Sequence, residues 1–101
     1  MNKNWQNLNK LIEYPKEGIL SKELMKTDKN NVTLFCMSAG TEISEHTATK
    51  SGYVQVIEGD GVFDLFGERI DMNEGVLIFL KKDVVHSVRA ETNLTFLLSL
   101  C

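Results

Sequence analysis

From Gly18 onward, apolar and polar positions alternate with a period of two, the signature of half-buried strands. The runs are Ile19–Lys26, Asn31–Ser38, Tyr53–Ile57, Gly61–Phe66, Arg69–Met72, Val76–Leu80, Val85–Ala90 and Leu94–Leu100. Most are rich in Val, Ile, Leu and Phe, which fit a pleated surface. The breaks Asp28–Asn31, Glu58–Gly61, Phe66–Glu68, Asn73–Gly75 and Thr92–Asn93 offer Gly, Asn or Asp where the backbone must reverse. Short strands with turns at this spacing predict an all-β sandwich or closed barrel. Before them, Leu8, Leu11 and Ile12 sit at helical spacing, so Trp5–Ile12 reads as a short helix or a loose arm. Pro15 disfavours helix at Tyr14, and Lys16-Glu17-Gly18 reads as a turn. The expected organisation is one domain over 1–101, with an arm at 1–17 and a barrel at 18–101.

Two runs break the alternation. Val76–Leu80 is apolar at every position, and so is most of Phe96–Leu100. A strand with one wet face alternates, so these predict cover on both faces, by another sheet or a second subunit. Together with Trp5 and Tyr14 in the arm, this predicts a homodimer. Met25, Met37 and Met72 read as core fillers.

Composition narrows the function classes. Net charge is -3, which argues against nucleic acid as a partner, because phosphate binding needs clustered Lys and Arg. No apolar run approaches a membrane span, and the start carries no apolar leader region, so no membrane role is expected. Cys36 and Cys101 follow no disulfide or zinc spacing, which suits a reducing, cytoplasmic setting.

Candidate chemistry centres on Gly40–Gly59 and Gly75–Ala90. Gly40, His46 and Gly59 fall at the spacing Gly, five residues, His-x-His, three or four residues, Glu, six residues, Gly. Ala48 stands at the second histidine of that motif and Gly52 at its glutamate. Gly75 and His86 fall on a second motif, with Lys81, Asp83 and Ala90 replacing its proline, glycine and asparagine. On these residues, and on the short Gly59–Gly75 connection, the chain resembles the small microbial cupins. The resemblance implies a double-stranded β-helix, or jelly-roll, barrel.

In cupins with a full site, three histidines and a glutamate bind a divalent metal such as Zn, Mn, Fe or Ni. Only His46 and His86 carry over, and they are the only histidines in the chain. A catalytic zinc keeps three protein ligands, and a facial-triad iron needs a carboxylate, so the set is incomplete and His46 with His86 is expected to bind a divalent metal only weakly. Strand alternation predicts that Ala48→His with Gly52→Glu would complete it. The resemblance also implies a cavity lined by His46, Ala48, Gly52, Val54, Val56, Val84, His86 and Val88. Besides a dimeric scaffold whose barrel is simply filled, two readings stay open. One is a binder of a small molecule in an apolar, two-histidine cavity. The other is a metal-dependent oxygenase, isomerase or cyclase using His46 and His86.

Overall fold

The structure is a computed structural model that describes residues 4–101. A 3-10 turn at Leu8–Lys10 precedes nine strands: β1 (Ile19–Lys26), β2 (Asn31–Met37), β3 (Glu42–His46), β4 (Gly52–Glu58), β5 (Gly61–Leu65), β6 (Glu68–Met72), β7 (Leu77–Leu80), β8 (His86–Ala90) and β9 (Leu94–Leu100). They form a five-stranded sheet, β1-β2-β9-β4-β7, and a four-stranded sheet, β3-β8-β5-β6. Every pairing is antiparallel. The two sheets are separate hydrogen-bonded ladders, so the all-β expectation is met by two facing layers.

The core lies between the layers. Met37, Val54, Val56, Ile78, Leu80, Leu94 and Phe96 come from the larger sheet, and Phe63, Met72, Val88 and Ala90 from the smaller. Gly59 makes one corner possible. Its φ is +93°, and a Cβ there would lie 1.9 Å from the Asn93 carbonyl oxygen, so no larger residue fits.

The structure revises four expectations. Among the described residues before Pro15, the choice between short helix and loose arm narrows to an arm with one 3-10 turn, Leu8–Lys10, whose cap Asn7 accepts the Asn9 N–H at 3.0 Å. β3 is an additional strand, with one apolar residue in five, which period-two reading passes over. Met37 and Met72 fill the core, but Met25 is exposed on edge strand β1. Finally, β7 does alternate: Ile78 and Leu80 are buried, while Leu77 and Phe79 stand in solvent.

The larger sheet has a second buried layer on its outer side. Leu34 and Cys36 are fully buried yet lie outside the core cluster, because they alternate with the inward-facing Phe35 and Met37. The arm covers them. Tyr14 Oη donates to Glu58 Oε2 at 2.7 Å and accepts from Thr95 Oγ1 at 2.6 Å. Thr95 is the cross-strand partner of Cys36. Farther along, Lys22 Nζ donates to the Leu11 carbonyl at 2.8 Å. Burying a Leu in this way contributes about 1.5–3 kcal/mol. Among the described residues no helix is long and apolar enough to cross a membrane.

Candidate functional site

One half of the space between the sheets is packed by Met37, Val56, Met72, Ala90 and Leu94. The other half is hollow. A cavity of about 110 Å³ is lined by Phe35, Ile43, His46, Val54, Phe63, Leu80, His86, Val88, Phe96 and Leu98. Phe35 and Phe96, cross-strand partners on β2 and β9, stack with centroids 5.1 Å apart and form one wall.

The two imidazoles are the polar groups in this lining. They are register partners across β3 and β8, with ring centroids 4.1 Å apart and planes tilted by 59°. A register shift between Ile43 and His46 brings them there. In a regular strand, residues three apart face opposite sides; the bulge returns both to the cavity. Glu45 is left on the outer surface with Glu42 and Ser44, in an open polar cleft. Phe63 stacks on His86, centroids 5.6 Å apart and nearly parallel, from a diagonal position on β5.

Backbone carbonyls fix both tautomers. His46 Nδ1 lies 2.8 Å from the Ser44 carbonyl oxygen, and His86 Nδ1 lies 3.0 Å from that of Val84. A carbonyl only accepts, so each Nδ1 carries the hydrogen and each neutral ring presents Nε2 as an acceptor. Exposure separates the rings: His86 is buried and His46 is exposed. Burial pushes His86 below the usual histidine range, and the neighbouring His46 adds to that. The Val84 carbonyl pulls the other way.

Of the expected site residues, the structure gathers His46, Val54, His86 and Val88 around the cavity. Val56 sits in the packed half. Val84 faces an outer groove with Phe66 and Phe79. Ala48 lies beyond the end of β3 and packs against the core from a loop, so strand alternation does not align it with His46. At Gly52 a Cβ would lie 1.8 Å from the Ser99 carbonyl oxygen. A glutamate therefore cannot be placed there without moving β9, which removes the physical basis for rebuilding the site through Gly52→Glu. Sequence reasoning missed Phe35, Ile43, Phe63, Leu80, Phe96 and Leu98. The usable signal was alternation within each strand: Phe96 and Leu98 share a face, as do Phe63 and Leu65.

No protein-family model and no curated protein matches the chain. Solved structures do. A cupin superfamily protein from Desulfitobacterium hafniense superposes with a TM-score of 0.89 at 19% identity, over 99% of this chain and 92% of that one. The chain has the cupin fold. A cupin 2 conserved barrel domain protein from Leptotrichia buccalis gives a TM-score of 0.88 at 28% identity, over 94% of this chain and 46% of that one. A salicylate 1,2-dioxygenase from Pseudaminobacter salicylatoxidans gives 0.77 at 21% identity, over 82% of this chain but only 26% of that one.

The cupin fold raises the question of a metal. The Nδ1-to-carbonyl bonds are the device that presents Nε2 to a metal ion. However, no group of three or more His, Cys, Asp or Glu that could hold one occurs among the described residues. Cys36 faces the arm, Tyr53 the outer surface and Glu45 the outer cleft. The donor set does not fit a three- or four-ligand centre.

Proposed function

We propose that this domain binds a small, mostly apolar molecule bearing one acidic or hydrogen-bond-donating head group. The supporting observation is the pairing of two Nε2 acceptors with an otherwise apolar cavity of about 110 Å³. Water takes about 30 Å³ in the liquid, and a dry cavity of about 150 Å³ holds benzene. The buried body of the ligand is therefore smaller than a benzene ring, and its head meets the histidines. A head group that carries a hydrogen donates it to Nε2, and burial keeps His86 neutral as an acceptor. Metal-dependent catalysis, the second reading from sequence, lacks a third ligand among the described residues.

Titration with isobutyric acid and isobutanol, followed by NMR of the imidazole and Val88 methyl resonances, tests the proposal. Both probes are expected to shift His46, His86 and Val88 together, and His86→Phe to weaken binding at least roughly tenfold, a loss of about 1.4 kcal/mol. Shifts confined to outer-surface residues would refute it. Without ligand, burial keeps the folded His86 pKa below the unfolded value, so the unfolded chain takes up a proton first. Stability is expected to fall as pH drops below about 6.5, and His86→Phe to flatten that slope.

A further inference from the structure

Four strands form the sheet edges, and three carry devices that discourage pairing with another chain. β1 holds Lys22, Glu23 and Lys26, with a register shift between Glu23 and Met25. β3 holds Glu42 and Glu45 and its own register shift. β6 holds Glu68, Arg69 and Asp71. Charges and bulges on edges are how sheets avoid unwanted strand addition. β7, Leu77-Ile78-Phe79-Leu80, has none of these and is hydrogen-bonded to β4 alone.

The surface beside this edge is rich in exposed apolar side chains, with Glu68 and Lys81 at its groove. Phe79 is 73% exposed and Leu77 46%, and Tyr53, the cross-strand partner of Phe79, is 37% exposed. Phe66, 81% exposed, shares a groove of about 340 Å³ with Phe79, Leu65 and Val84. At ordinary side-chain areas these four large residues present roughly 450 Å². A stable interface buries about 800 Å² per partner, with an apolar centre and a polar rim. The patch supplies such a centre.

We propose that the β7 edge is the dimerisation surface, occupied by β7 of a second copy of this chain in antiparallel register. Side-chain alternation restricts that register, because opposed residues must share a face. A two-fold axis through Ile78 satisfies this: Ile78 opposes its own copy on the inner side, and Leu77 opposes the partner's Phe79 on the outer side. The same register brings the Glu74 end of one strand alongside the Lys81–Lys82 end of the other. Opposite charges at both ends favour a second copy over an unrelated apolar partner. Pairing turns two five-stranded sheets into one of ten and removes an unprotected edge from each copy. Self-complementary two-fold contacts are the commonest closed assembly.

The test is light scattering and sedimentation on the full chain, with circular dichroism to verify folding. Wild type is expected to be a dimer, and Phe79→Asp a folded monomer, with self-association weakened by at least roughly a hundredfold. Glu74→Lys is expected to weaken the dimer, and Glu74→Lys with Lys82→Glu to restore it. This pair decides the matter if Phe79→Asp does not fold. A monomeric wild type at high concentration overturns the proposal, whether the face then serves another protein or a lipid surface. So does a dimer indifferent to Phe79→Asp and to both charge variants.

Discussion

The outer side of the five-stranded sheet is dry at one end and bare at the other. Over β2 and β9 the arm seals Leu34, Cys36 and Thr95 to zero exposure. Over β4 and β7, Tyr53, Leu77 and Phe79 meet solvent. Both halves read alike in sequence, since Val32–Met37 and Val76–Leu80 are each dense in apolar residues. The difference is the arm, whose described contacts fall on Lys22, Thr95 and Glu58 and not on β7. Apolar residues on both faces of a strand therefore mark a need for cover without naming what supplies it. Under the arm the cover is intramolecular and stabilises the fold. At β7 the need is open to a second chain.

The widest separation between the halves is expected in stability. Leu34→Ala should cost about 2–5 kcal/mol, the usual range for a buried leucine whose cavity cannot collapse. Phe79→Ala, at a dilution that keeps the chain monomeric, should stay within about 0.5 kcal/mol of wild type. Urea denaturation of both variants checks this. Comparable losses would erase the distinction between the two halves.

A smaller loss is expected where the arm is pinned. Tyr14→Phe removes the acceptor of the Thr95 hydroxyl, which is fully buried, and the donor to Glu58. Leaving such a group unpaired costs about 1–3 kcal/mol. Burial, with Glu58 accepting the phenol hydrogen and adding its charge, pushes Tyr14 up to about 12, although the bond from Thr95 pulls down. The folded value lies above the ordinary 10, so the stabilisation is complete below pH 10 and is lost as pH rises through about 12. Near-ultraviolet titration should show Tyr14 ionising late, and Tyr14→Phe should remove that step. At neutral pH the same variant should let a thiol reagent reach Cys36, which is shielded in wild type, while Cys101 reacts in both. A Cys36 no more reactive than before would mean that the arm holds without Tyr14.

Much of the fold was legible because each layer obeys local rules. Alternation marked eight strands, and Gly59, Gly67 and Gly75, all at positive φ, marked their reversals. β3 was not legible as a strand, since Glu42, Ser44, Glu45 and His46 are exposed and only Ile43 is apolar. The histidines were legible as a pair through motif spacing. Their contact depends on the bulge in β3 and on β3–β8 register, which one chain's residue pattern does not encode. The hollow half of the core was equally hidden. Phe35, Phe63 and Phe96 are large enough to fill space, and only their stacking geometry shows that they frame a cavity instead. Leu34 and Cys36 point outward because Phe35 stacks inward on Phe96.

The finest discrimination comes from the tip of the β5–β6 hairpin. Phe66 and Gly67 form a two-residue turn with φ of 49° and 89°, and Asp64 Oδ1 accepts the Gly67 N–H at 2.9 Å. Two-residue turns with positive φ at both positions favour Asn-Gly, because Asn tolerates the left-handed region and a bulky residue does not. Left-handed backbone costs an ordinary residue about 1–2 kcal/mol. Phe66 recovers little of that within its own chain, since its side chain is 81% exposed. Phe66→Asn should therefore stabilise the monomer by about 0.5–1 kcal/mol. If Phe66 is kept for the bare face, the same change should weaken self-association, giving opposite signs in one variant. Urea denaturation at a dilution that leaves the chain monomeric reads the first effect, and sedimentation at high concentration reads the second. A variant less stable as a monomer would show that the ring packs on its own chain, and the groove beside Phe79 would then belong to the fold rather than to a partner.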